Sequence, residues 1–200
     1  VHGPGEIPAP PVEIHDWQEA WLVGTAITDA YGREIGSLNA QQRERPPRPE
    51  PSTIRQDFRD TARDMWLDAR HKPTYVITDR FGVELWHLRQ PGTHPLTVHD
   101  SDGRVVVEGN RPRFSRHDAI SVTHGVVWTQ VNGYVRDRKG ARLGHVQGLT
   151  RQGIMTTYLR YQLLLDEAGR GLTAADAVRL RALLIAIALK ERLAPHPSGG

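Results

Sequence analysis

The run Ala182-Leu183-Leu184-Ile185-Ala186-Ile187-Ala188-Leu189 constrains the fold more than any other part of the chain. A helix on the surface of a globular protein keeps a polar face, with apolar residues at i, i+3, i+4 and i+7. Here every position is apolar, so no face is left for water. Eight residues rise about 12 Å as a helix, far short of the roughly 20 that span a bilayer. Arg179, Arg181, Lys190 and Arg192 bracket the run. It therefore reads as the centre of a helix over Asp176 to Leu193 that other protein must surround; a tail anchor and a partner-binding helix are the alternatives. Thr173 can cap its start, Asp176 suits the first turn, and Pro195 and Pro197 end it.

What surrounds it is legible in a recurring unit. Val23 to Leu38 reads as a strand, a short polar turn over Asp29-Ala30-Tyr31-Gly32, and a second strand. Tyr75 to Leu88 repeats this around Asp79-Arg80-Phe81-Gly82, Leu96 to Val107 around Asp100-Ser101-Asp102-Gly103, and Gly133 to Val146 around Asp137-Arg138-Lys139-Gly140. A degenerate copy, Tyr161 to Gly169 with Asp166-Glu167-Ala168-Gly169, leads into the last helix. Asp ends a strand by accepting N–H groups two residues on, and Gly supplies a positive φ that other residues resist. One Asp-x-x-Gly means little; five between β-type residues predict an antiparallel meander of hairpins. Ala119 to Thr123 and Val126 to Val131 add two strands across His124-Gly125, for about twelve in all.

One amphipathic helix is expected near 54–70. Thr53 starts a capping box, and Ile54, Phe58, Ala62, Met65, Trp66 and Ala69 share a face until Pro73. Residues 1–16 read as an extended, proline-rich lead-in, 17–194 as one domain, and 195–200 as a tail. The start has no apolar h-region of the kind a signal peptide needs, and no stretch is long enough to span a membrane. The absence of cysteine excludes disulfides, thiolate metal sites and cysteine nucleophiles, and fits a cytoplasmic protein.

Charge is unevenly spread. Residues 1–110 carry 12 Lys/Arg against 17 Asp/Glu, whereas residues 111–160 carry 9 against 2. Arg111, Arg113 and Arg116 flank one strand, and Arg136, Arg138, Lys139 and Arg142 crowd one hairpin. Guanidinium forks match phosphate oxygens, so these seven are the candidate ligand-binding residues, for an anionic headgroup above all. The plainer alternative is a soluble surface on which charges happen to cluster. Nucleic acid is disfavoured, because only Phe114 and Tyr134 are interleaved aromatics.

Other chemistry finds little footing. Taking Gly103 as the sixth position of a calcium loop puts Val98 at position 1 and Gly109 at position 12, and neither offers a carboxylate. The pairs His94/His99 and His117/His124 lack metal-ligand spacing, so no metal or cofactor is expected. No Gly-x-Ser-x-Gly elbow and no Gly-rich phosphate loop occurs, and no catalytic residue is assigned. A triad assembled in space, and hence an enzyme with an unrecognised pocket, stays as the third alternative.

Strand–Asp-x-x-Gly–strand units such as Ile27 to Gly36, closed by the apolar helix from Arg179 to Leu189, resemble the tubby-like superfamily. More narrowly, they resemble phospholipid scramblase and LURP-one-related proteins, bacterial members included, over about residues 17–193. The resemblance implies a mainly β fold: a closed antiparallel barrel of about twelve strands around the buried C-terminal helix. Ala182, Ala186 and Ala188 would let that helix fit a tight lumen. The long charged helix near 54–70 departs from the pattern, as does the lack of a lipidation cysteine cluster, and the scramblase calcium segment has no counterpart here. The reading that results is a non-enzymatic, cytoplasmic binding module for anionic phospholipid headgroups, peripheral to the membrane. Its alternative is a protein–protein module using the 54–70 helix.

Overall fold

Alternating inward and outward residues build the first strands. In Glu19–Val23 (β1), Ala20 and Leu22 are buried while Trp21 faces out; in Ala26–Asp29 (β2), Ile27 is buried. The computed structural model describes residues 12–41, 74–89, 97–110, 118–122, 126–152 and 157–193. The remaining strands are Glu34–Gln41 (β3), Thr74–Asp79 (β4), Glu84–Arg89 (β5), Thr97–Asp100 (β6) and Val105–Asn110 (β7). Asp118–Val122 (β8), Val126–Val131 (β9), Tyr134–Arg136 (β10), Arg142–Gln152 (β11) and Thr157–Leu165 (β12) follow. Two helices end the described chain, Glu167–Arg170 (α1) and Ala174–Leu193 (α2). The helix expected near 54–70 lies outside the described residues.

All the described strands form one antiparallel sheet. Each pairs with its sequence neighbours, from Ala26↔Ser37 in β2/β3 to Gly144↔Leu165 in β11/β12. β1 pairs on one side with β2, Leu22↔Ile27, and on the other with β12, Leu22↔Tyr161. Consecutive antiparallel strands put alternate connections at the same end of the sheet. The turns after β2, β4, β6 and β10 therefore share one end, together with the exit of β12 into α1. The turns after β1 and β9 lie at the other.

Four Asp-x-x-Gly sequences make those shared turns, all built alike. Gly32 N donates to Asp29 O at 3.0 Å and Asp29 N to Arg33 O at 2.9 Å, a pattern repeated from Asp79, Asp100 and Asp137. Gly32, Gly82, Gly103 and Gly140 have φ between 80° and 86°, where a side chain is strained. The register slips by one residue beside each turn, leaving Ile35, Leu85, Val106 and Leu143 unopposed. These are hairpins with a glycine bulge. The fifth sequence departs from the expected hairpin: Asp166 precedes α1, and Gly169 lies inside that helix.

Asp29 differs from its three counterparts in being buried. Burial works to raise its pKa, but the Arg33 backbone N–H and guanidinium and the Tyr31 N–H outweigh it, so the carboxyl sits below its ordinary 3.8. Its Oδ2 takes Arg33 Nε and Nη2, both at 2.7 Å. A folded-state pKa below the unfolded one gives stability that is complete above the ordinary value and lost as pH falls through the folded one. Asp29→Asn is expected to cost about 2 kcal/mol at neutral pH. The gap to the native protein should narrow in denaturant titrations carried below about pH 4; a gap constant with pH would show that the charge does not matter.

The sheet's inner face meets α2. Every residue from Leu180 to Leu189 is buried, and they share one core with Leu22, Ile27, Leu38, Ile77, Trp86, Leu88, Trp128 and Leu163. The all-round apolar run thus finds cover on every side. Thr173 caps α2 as expected: Asp176 N donates to Thr173 Oγ1 at 3.2 Å, and the hydroxyl donates to Asp176 Oδ2 at 3.0 Å. Among the described residues no helix is long and apolar enough to cross a membrane. The helix runs the length of the sheet. Arg181 Nε donates to Trp17 O near the start of β1, and Arg192 Nη1 donates to Gly24 O in the turn after β1.

Residues 12–18, before β1, form part of the core at the Asp-turn end. Ile14, in the stretch expected to be a lead-in, and Trp17 are both 1% exposed. Arg181 is buried with its guanidinium over the Trp17 ring at 5.6 Å. Burial lowers its pKa, and the charge of Asp16 works the other way.

Candidate functional site: a cationic hairpin

The β10–β11 hairpin concentrates positive charge through its turn chemistry. Asp137 Oδ1 accepts the N–H groups of Lys139 and Ala141, each at 2.8 Å, so the lone carboxylate of the segment is engaged in holding the turn. The side chains of Arg138 and Lys139 project from its exposed tip. Arg136 folds back across the turn, with Nη1 donating to Gly140 O at 3.0 Å. Arg142 begins β11 opposite Arg136, which places both on one rung of the ladder.

Arg142 is built into a second layer. Its guanidinium lies over the Tyr134 ring at 4.4 Å, and Tyr134 stacks on His145 at 5.3 Å. Asp166 Oδ2, at the end of β12, stands 3.3 Å from His145 Nδ1 and 3.6 Å from Arg142 Nε. A stacked guanidinium keeps its edge donors for a ligand while its face is covered. The hairpin therefore offers two tip cations and two braced ones, all beside solvent, in an arrangement suited to phosphate or carboxylate oxygens.

Of the seven residues expected from charge, Arg136, Arg138, Lys139 and Arg142 are brought together. Arg111, Arg113 and Arg116 lie outside the described residues. The strands on either side of them, β7 and β8, end and begin at the end of the sheet opposite the β10–β11 turn. Tyr134, His145 and Asp166 are partners of the site that the distribution of charge does not reveal. The alternation of β10 and the register of β11 against β12 (His145↔Leu164) place them there, and neither is visible in a tally of charge.

The described residues hold no group of three or more His, Asp or Glu arranged for a metal ion. At the opposite end of α2, Glu191 is half-buried; burial raises its pKa and the charge of Lys190 opposes this. Tyr161 is raised as well, by burial and then by Glu191. Comparison of the chain with protein-family models, with curated proteins and with solved structures gives no match.

Proposed function

We propose that the chain is a non-enzymatic binding module that takes anionic phospholipid headgroups on its β10–β11 hairpin. The observation that carries this is the crowding of Arg136, Arg138, Lys139 and Arg142 around one turn whose only carboxylate, Asp137, is engaged by backbone N–H groups. In the same reading the sheet is a closed barrel of tubby-like, scramblase and LURP-one-related type. That view is supported by strand pairing that returns from β12 to β1 and by a C-terminal helix buried over ten consecutive residues. The protein–protein alternative draws on the 54–70 helix, which the described residues do not include.

Each basic side chain near an anionic surface contributes about 1 kcal/mol, so four supply up to about 4 kcal/mol, roughly a thousandfold in affinity. Co-sedimentation with phosphatidylserine-rich vesicles should be strong at low salt and collapse above physiological ionic strength, where the Debye length falls below about 8 Å. Neutral phosphatidylcholine vesicles should leave the protein in the supernatant. Changing all four cations to serine should abolish the binding while leaving the unfolding midpoint close to native, because their side chains lie outside the core. Binding that survives the four substitutions, or none to anionic vesicles, would sink the proposal.

A further inference from the structure

The four Asp-x-x-Gly hairpins share one construction and one end of the sheet, but their tips differ. The residue two after the aspartate is Tyr31, Phe81, Asp102 and Lys139 in turn. Tyr31 is 82% exposed and Phe81 71%, and Val83, beside Phe81, is 55% exposed. The turn backbone beneath each ring is fixed: Asp29 Oδ1 takes the N–H of Tyr31 itself at 2.9 Å, and Asp79 Oδ1 that of Phe81 at 2.8 Å. Each ring also carries an arginine, Arg33 at 5.1 Å from the Tyr31 centroid and Arg80 at 4.6 Å from that of Phe81.

The two aromatic tips are neighbours. β3 and β4 are paired, Gly36↔Asp79, so the turns before β3 and after β4 are separated by two strand spacings, about 10 Å. Only β12 and β1 stand between β11 and β2. The cationic β10–β11 turn therefore faces the same way as the aromatic tips, some four strand spacings along, about 19 Å.

We infer that Tyr31 and Phe81 are the apolar anchors with which this end of the protein enters an anionic bilayer, a deepening that rests on the headgroup-binding reading above. An exposed aromatic ring at the tip of a fixed turn suits the membrane interface, where it sits at the acyl boundary. The cationic turn supplies the attraction to anionic lipid and the aromatic tips the depth. Carboxylates at this end are mostly engaged: Asp29 and Asp79 hold their turns and Glu13 pairs with Arg80 at 3.3 Å. The exposed Asp102 at the third tip marks the sector that stands away from the lipid.

The chain contains no cysteine, so Phe81→Cys gives a single site for an environment-sensitive fluorophore. On phosphatidylserine-rich vesicles its emission should shift to the blue and brighten. The same label at Thr25→Cys, exposed in the turn at the opposite end, should report water throughout. Tyr31→Ser with Phe81→Ser should weaken partitioning about tenfold, the loss expected for two interfacial aromatics. If the native protein binds these vesicles while the label at position 81 stays in water and the double variant partitions normally, the anchor assignment is overturned and the headgroup reading survives. Absence of binding by the native protein overturns both.

Discussion

Replacing Gly169 with alanine is expected to leave the chain unable to fold, or to cost more than about 4 kcal/mol if a folded form persists. A Cβ at this position would collide with the Leu143 carbonyl oxygen and stand 2.9 Å from its carbon and 3.1 Å from Leu180 Cδ2. Two of these are backbone atoms that no rotamer change can move. Leu143 is also the residue left unopposed where β11 slips against β10, and its oxygen accepts Asp166 N at 3.0 Å. Alanine would thus push apart the seat on which α1 rests and, through Leu180, the entry of α2. Gly32→Ala is the matched control. Its φ is +80° but nothing lies within 4 Å of its Cβ, so only backbone strain of about 1 kcal/mol should appear. Soluble yield and denaturant midpoints of the two variants separate close approach from conformational freedom. Equal effects would show that α1 does not depend on the missing Cβ.

The second large effect is expected at Leu184. It is fully buried near the middle of α2, and its Cδ1 reaches 3.0 Å from where a Cβ on Gly144 of β11 would stand. Leu184→Ala removes packed methyl groups and should cost about 3–5 kcal/mol. Leu184→Asp should yield no folded protein, because a carboxylate there would be fully buried among apolar side chains. Placing an unpaired charge in such a core costs several kcal/mol, comparable with the whole stability of a domain. Circular dichroism and size-exclusion profiles of the two variants give the comparison. Native spectra from the Leu184→Asp chain would mean that α2 keeps a solvent-facing side, contrary to its burial.

Much of this architecture is legible in the chain because its signals are local. Asp followed three residues later by Gly needs only its own backbone to make a turn, and four of five do so. An apolar run with no polar face specifies cover whatever supplies that cover. The misses are matters of long-range placement. Asp166-Glu167-Ala168-Gly169 carries the turn sequence, but in the structure its glycine serves a close approach to Leu143, which no window of four residues displays. Ile14 lies in the proline-rich stretch expected to be a lead-in, and its side chain packs beside Gly36, far along the chain. The basic block is legible only in part: Arg136, Arg138, Lys139 and Arg142 share one hairpin, while Arg111, Arg113 and Arg116 lie outside the described residues. Net charge over fifty residues is indifferent to which end of a meander each turn occupies. The exposed tips Tyr31 and Phe81 could have been found by asking which residue type each Asp-x-x-Gly places at its apex, a question the repeat invites.

The pairing of β1 with β12 has a consequence for how the protein comes into being. Glu19 and Gln162 join across a separation of 143 residues, and the helix that fills the sheet is made after both. A nascent chain can form its hairpins one by one as they leave the ribosome, since each closes over a short loop. It cannot bury their inner faces until α2 has emerged, so β1 waits unpartnered on one side through most of synthesis. A pairing so distant in sequence carries a loop-closure cost that the local hairpins do not, and it slows the last step of folding relative to them. During that interval the apolar faces of a dozen strands are open to other chains, which makes crowding in the cell, more than final stability, the hazard this topology has to survive.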